Sequence, residues 1–362
     1  MKIVVFSCKT GGGHNACANY IKEEFEKYDV SCDVVDYFDL VGKKASDIAE
    51  KIYLDSTKGN GKVFGSVYKL GELYSKTKMP SPVYGLNKLV KDKLYRFLSD
   101  NQYDLAIGTH LFPCLGLTAV KKEHPIHFIN IATDYECIPF WKETDPDYFV
   151  IPSPLLTQRF IDNGFSENIV LPFGISISSR FLDQEISSDI PRDKDMILLT
   201  SGSMGFGNLK KVVTQMLDEI PNTYIVVVCG NNHKMYKELS EIDNDLLIVK
   251  GFINNMVEYM KASTIVISKP GGVTTTEVAE LRKPLILMMP IPGVEDYNMQ
   301  FFLNNRMCLR ATNVEELVEQ TKKLLTNKTL QDSITKNQEE NIKTYSAKAL
   351  VEFVLNKKDK AK

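Results

Sequence analysis

Three turns in this 362-residue chain combine glycine with side chains that can handle phosphate or protons. The first is Gly11-Gly12-Gly13-His14. The second is Ser201-Gly202-Ser203-Met204-Gly205-Phe206-Gly207, and the third runs from Ser268-Lys269-Pro270-Gly271-Gly272 through Val273-Thr274-Thr275-Thr276 to Glu277. Glycine lets backbone N–H groups approach a ligand closely, and a helix N-terminus favours negative charge. None of the three matches the dinucleotide fingerprint; Gly202, Gly205 and Gly207 come nearest, with the wrong spacing. None is a P-loop, because Gly-Lys-Ser/Thr does not follow four variable residues. The third turn carries the most information. Its glycines and threonines suit a diphosphate, and a carboxylate at the depth of Glu277 can accept both hydroxyls of a ribose. The same spacing also fits an ordinary helix start whose acid complements the helix dipole, so residue types alone leave both readings open.

Proton chemistry has two candidates, with a second histidine near them in the pattern. His14 follows the first glycine cluster, and an imidazole titrates near neutral pH; as an isolated residue it also reads as a plain helix start. Asp134 follows the apolar run 126–131, at the strand end where α/β sheets place ligands, or it caps a turn. His110 ends Gly108-Thr109-His110 and is either an acceptor contact or a loop histidine. Asp145-Pro146-Asp147 has the spacing of a metal motif in a setting that reads as structural, so no metal is expected.

The elements that must position these groups repeat as strand, loop and helix. Short apolar runs rich in β-branched residues read as buried parallel strands. They lie at 3–7, 31–35, 105–109, 126–131 and 148–152, the last closing the first half. A second series lies at 196–201, 224–229, 246–249, 265–268 and 284–288. Helices are predicted from about Asn15 to Lys27 and from about Asn208. The alternation argues for an α/β protein with parallel sheets. Both halves open with strand, glycine turn and helix, which fits two Rossmann-like domains. The expected division is 1–172, a linker at 173–194, 195–340, and a C-terminal helix at 341–362 that packs back on the first domain.

Composition bounds the rest. The chain is 43% hydrophobic with a net charge of −2, which suits two buried cores and argues against a nucleic-acid partner. Its seven cysteines form no Cys-x-x-Cys pair and read as reduced and structural, as in the cytoplasm. No apolar run is long enough to span a bilayer. The stretch Ser56–Arg96 holds nine basic residues against Glu72 and Asp92. Aromatic residues interleave them. Lys62, Tyr68, Lys69, Lys76 and Lys78 are therefore candidates for contact with an anionic membrane, where each cation contributes roughly 1 kcal/mol. A solvated charged loop is the alternative.

The block from Val249 to Asn298 resembles the donor domain of one glycosyltransferase family. The matching features are Gly251-Phe252-Ile253, Ser268-Lys269-Pro270-Gly271-Gly272 with Glu277, and Pro292-Gly293-Val294-Glu295-Asp296-Tyr297-Asn298. The family is that of the peptidoglycan N-acetylglucosaminyltransferase MurG and the monogalactosyl- and processive glucosyl-diacylglycerol synthases. Gly11–His14 and Ala132-Thr133-Asp134-Tyr135 with Trp141 are similar to its diacylglycerol branch. Val294 stands where that branch has Gln, and Ile138 where it has His.

The resemblance implies GT-B architecture, two Rossmann-like domains with parallel sheets facing across a cleft. It implies an inverting, metal-independent transfer of a hexose from UDP-glucose or UDP-galactose to diacylglycerol or a related lipid at the inner face of the cell membrane. Phe252 and Ile253 would border the uracil. Ser203, Gly271, Gly272, Val273 and Thr274 would face the diphosphate, and Glu277 the ribose. Glu295, Asp296 and Asn298 would line the sugar pocket. His14 would be the base, with Asp134 as partner or rival; Gly13 and His110 would lie on the acceptor side. A polyprenyl-linked acceptor, a UDP-sugar epimerase and a UDP-sugar sensor are the alternatives on this fold.

Overall fold

A computed structural model describes residues 1–8, 12–42, 81–183, 185–200 and 209–360. It contains two six-stranded sheets in which every strand pair is parallel. The first comprises β1 (Lys2–Ser7), β2 (Ser31–Asp36), β3 (Leu105–Gly108), β4 (Phe128–Ile131), β5 (Tyr148–Val150) and β6 (Val170–Leu171). The second comprises β7 (Asp195–Thr200), β8 (Thr223–Val228), β9 (Leu247–Lys250), β10 (Ile265–Ser268), β11 (Leu285–Met288) and β12 (Leu309–Ala311). Their central strands are apolar without alternation because both faces are covered. Ile3, Val4, Val5 and Phe6 of β1 and Ile265, Val266 and Ile267 of β10 have no exposed surface.

Strand order decides where ligands can go. The first sheet runs β2-β1-β3-β4-β5-β6 and the second β12-β11-β10-β7-β8-β9. The second is the doubly wound order, in which the chain reverses direction across the sheet between its first and fourth strands. Its reversal point lies between β7 and β10, and that of the first sheet between β1 and β3. Ligands of open α/β sheets bind beyond the carboxyl ends of the strands at such points. The turn after β1 leads into His14, β3 into Thr109-His110, and β10 into Lys269–Gly272. The turn after β7, with Ser203, lies outside the described residues, as do Gly11, Lys62, Tyr68, Lys69, Lys76 and Lys78.

Two compact units hold these sheets. One comprises Met1–Ser179, Ile291–Tyr297 and Lys343–Lys362; the other Arg180–Pro290 and Asn298–Ile342. Within the first unit the helix Ser346–Lys360 packs on the helix Gly12–Glu26, and the Phe353 ring meets Tyr148 at 4.8 Å and Phe173 at 5.6 Å. The segment expected to open a linker is buried there instead: Ile175, Ser176 and Ile177 have no exposed surface. Ser346 clamps it, its hydroxyl donating to the Ile175 carbonyl at 2.5 Å and accepting the Ile177 N–H at 3.0 Å. Among the described residues no helix is long and apolar enough to cross a membrane.

Two strands escape sequence reading. β5 does not close the first sheet; β6 pairs beyond it, Val150 against Leu171. β12 pairs with β11, Leu287 against Arg310. With two and three residues, neither has a periodicity of its own.

Candidate active site

In the first unit three strand ends converge on one imidazole. The helix Gly12–Glu26 starts three residues earlier than its apolar periodicity suggests, which places His14 in its first turn. Thr109 leaves β3 with its N–H on the Phe6 carbonyl at 3.0 Å. Its hydroxyl donates to the Phe6 carbonyl at 3.3 Å and the His14 carbonyl at 3.2 Å. The Thr109 carbonyl lies 2.8 Å from His14 Nδ1, and the Thr133 hydroxyl, just beyond β4, lies 2.9 Å from the same nitrogen. A carbonyl oxygen only accepts, so Nδ1 carries the proton and Nε2 is left with the lone pair.

Burial lowers the His14 pKa, while the Asp134 carboxylate and the bond to Thr109 push it back up. The ring is therefore neutral at working pH, which a base requires. His110 stands beside it, ring centroids 4.6 Å apart and nearly perpendicular. It is the N-cap of the helix Leu111–Lys121, its Nδ1 accepting the Phe112 N–H at 3.2 Å. Burial first, and then the neighbouring His14, hold the His110 pKa well below its ordinary value. Gly13 is half-buried in the same first turn.

Asp134 is half-buried in the turn 133–137. That turn is braced at its far end. Glu136 accepts the Cys137 N–H at 2.8 Å and Arg159 Nε at 2.7 Å.

In the second unit β10 runs into the helix Gly272–Glu280 with Gly271 as an extended N-cap that offers no side-chain bond. The Gly271 N–H donates to the Lys269 carbonyl at 2.9 Å and the Thr275 N–H to the Gly271 carbonyl at 3.0 Å. The N–H groups of Gly272, Val273 and Thr274 are beyond the reach of the helix's own carbonyls. Helix-start N–H groups of this kind suit phosphate. Two expected donors fall away: the Thr275 hydroxyl turns back to the Gly271 and Gly272 carbonyls at 3.0 Å each, and that of Thr276 to the Gly272 carbonyl at 2.7 Å. Glu277 follows in the same helix and is buried.

Just past β9, Phe252 is 68% exposed, unusual for an aromatic ring and available for stacking; Ile253 beside it is half-buried. Asn298 is fully buried, its Nδ2 donating to the Pro270 carbonyl at 3.0 Å. It thus ties the helix Val294–Asn304 to the Lys269–Gly272 turn. Glu295 and Asp296 sit at the start of that helix. Glu295 is buried and accepts the Ile291 N–H at 2.8 Å; Asp296 is exposed and accepts the Gly293 N–H at 2.9 Å.

Sequence spacing brings out His14, Asp134 and His110 but not Thr109 or Thr133, which read as ordinary strand-end threonines. Their signal lies only in the strand order.

Two family models match the chain. One, described as monogalactosyldiacylglycerol synthase, covers residues 14–177; the other, the C-terminal domain of glycosyltransferase family 28, covers residues 196–352. Between them the two models span most of the chain, and the protein is a glycosyltransferase. A processive diacylglycerol beta-glucosyltransferase of Bacillus cytotoxicus is 27% identical to this glycosyltransferase over 340 residues, covering 90% of this chain and 85% of the relative. Among solved structures, Acinetobacter baumannii MurG superposes with a TM-score of 0.63 at 15% identity, covering 98% of this chain and all of that one. The glycotransferase of kitacinnamycin gives 0.69 at 10% identity, covering 98% of each. The glycosyltransferase thus has GT-B architecture, with two six-stranded parallel sheets.

Proposed function

We propose that this glycosyltransferase moves a hexose from UDP-glucose or UDP-galactose to the free hydroxyl of diacylglycerol, inverting the anomeric carbon without a metal ion. The observation that carries the reading is the neutral, doubly anchored imidazole of His14. Its Nε2 takes the proton of the acceptor hydroxyl as the oxygen attacks the anomeric carbon. The bond to the diphosphate breaks on the opposite face, and UDP leaves with the electron pair. The Asp134 carboxylate stabilises the imidazolium that forms.

On the donor side, the N–H groups of Gly272, Val273 and Thr274 meet the charge that grows on the diphosphate, with Ser203 assisting. Phe252 and Ile253 border the uracil, Glu277 holds the ribose, and Glu295, Asp296 and Asn298 shape the sugar pocket. The diacylglycerol acceptor is supported by the names of the matching family and of the Bacillus relative. In this reading the enzyme works on an anionic bilayer surface at the inner face of the cell membrane. The basic stretch Ser56–Arg96 faces the lipid, and its described end exposes Lys88, Leu89, Lys93 and Arg96.

The test is mass spectrometry of lipids after incubating the purified protein with mixed UDP-hexoses and anionic liposomes that contain diacylglycerol. A hexosyl-diacylglycerol is expected, with formation reduced at least ~100-fold in His14→Ala. No glycolipid from any UDP-hexose would sink the lipid reading.

A further inference from the structure

Two histidines in edge-on contact, both denied positive charge, can present the same face to a substrate or opposite ones. The bonds to their inner nitrogens decide which. His14 Nδ1 lies 2.8 Å from a carbonyl oxygen, that of Thr109, and 2.9 Å from the Thr133 hydroxyl. His110 Nδ1 lies 3.2 Å from a backbone amide, that of Phe112. A carbonyl cannot donate and an amide N–H cannot accept. The inner nitrogen of His14 therefore holds its proton, and that of His110 holds a lone pair.

We propose that His14 and His110 are complementary neutral tautomers, Nδ1–H in His14 and Nε2–H in His110, so that one ring offers the acceptor substrate a base and the other a hydrogen-bond donor. The proposal rests on the reading of His14 as the base and extends it to the second ring. The donor on His110 suits an oxygen that has no proton of its own, and an ester oxygen beside the reacting hydroxyl of an acylglycerol is one.

Thr133 is the positioning residue in this arrangement. The Thr109 carbonyl already takes the Nδ1 proton, so the Thr133 hydroxyl meets the same N–H as a second acceptor. In the opposite His14 tautomer the Thr133 hydroxyl would turn and donate, so the Thr109 carbonyl sets the tautomer and Thr133 holds the ring in place. The hydroxyl of Thr109 closes the arrangement by donating to the His14 backbone carbonyl at 3.2 Å. The charged or titratable groups acting on the pair are Asp134, which favours protonated His14, and His14 itself, which disfavours protonated His110. Burial opposes protonation of both and keeps the tautomers neutral.

Imidazole 15N NMR of the full-length protein at neutral pH reads the tautomers without any turnover. The chain has five histidines, and spectra of His14→Ala and His110→Ala assign these two by subtraction. The expected result is an unprotonated Nε2 in His14 and an unprotonated Nδ1 in His110. Thr133→Val should leave the His14 tautomer in place, because the Thr109 carbonyl sets it, and lower kcat roughly 5- to 10-fold with KM for both substrates unchanged; Thr133→Ser should restore the rate. Finding the same tautomer in the two rings, or a charged ring in either, would overturn the proposal. So would a mixture of His14 tautomers in Thr133→Val, where the Thr109 carbonyl alone should hold the proton on Nδ1. Full activity in His14→Ala would instead remove the base reading, and the NMR result would still decide the tautomers.

Discussion

Acid should weaken the first unit through its two half-buried imidazoles, and the size of the effect follows from linkage. His14 and His110 both have pKa values lowered by burial in the folded state. In the unfolded chain each titrates near ~6.5. A group with a depressed folded pKa binds fewer protons folded than unfolded. Its contribution is complete above the unfolded value and is lost as pH falls toward the folded one. In that window each histidine changes the unfolding free energy by up to ~1.4 kcal/mol per pH unit, so the pair changes it by at most ~2.7. His110 lies furthest below its ordinary value and should carry the larger share. The assay is urea unfolding followed by fluorescence between about pH 7.5 and about pH 5.5. The chain has a single tryptophan, Trp141, which is buried in the same unit as both rings. A His14→Asn/His110→Asn double variant serves as reference. Carboxylate titrations cancel in the difference, and an asparagine in place of His110 retains an oxygen for the Phe112 N–H. Wild type should lose stability below about pH 6.5 more steeply than the double variant. Parallel curves would refute the burial argument.

Three further outcomes follow from the donor half. Asn298→Ala leaves the Pro270 carbonyl without the bond at 3.0 Å in a fully buried setting; it should cost about 1–3 kcal/mol in thermal unfolding and weaken UDP binding, and unchanged UDP affinity would argue against a role for Asn298 in holding the turn. Glu277→Gln should raise the donor KM roughly 10-fold or more with little change in lipid affinity, read by initial rates, because a hydrogen bond to a charged group is worth about 1.5–3 kcal/mol. Dialysis against EDTA should leave the transfer rate unchanged; a loss restored by added magnesium would rule out metal independence.

Much of the architecture was legible because parallel strands are buried on both faces. Ile3–Phe6 and Ile265–Ile267 announce themselves as unbroken apolar runs, and the glycine turns after them mark where helices begin. His14, Asp134 and the Lys269–Gly272 turn stand out for the same reason: their chemistry is local. The fates of the Thr275 and Thr276 hydroxyls were not legible, since a side chain that bonds back to the preceding turn looks in sequence like one that faces a ligand. β6 and β12 were invisible because only a neighbour defines them.

The sequence by itself determined the strand runs, the turns and the residue types at the candidate site. Tertiary structure decided which nitrogen of His14 is free. Thr133 is 119 residues from His14 and Thr109 is 95, and no spacing rule connects them. They meet because β1, β3 and β4 are adjacent in the sheet, so that strand ends far apart in the chain open onto one ring. Periodicity fixes a strand's faces, whereas strand order fixes its neighbours, and it is the neighbours that place the proton.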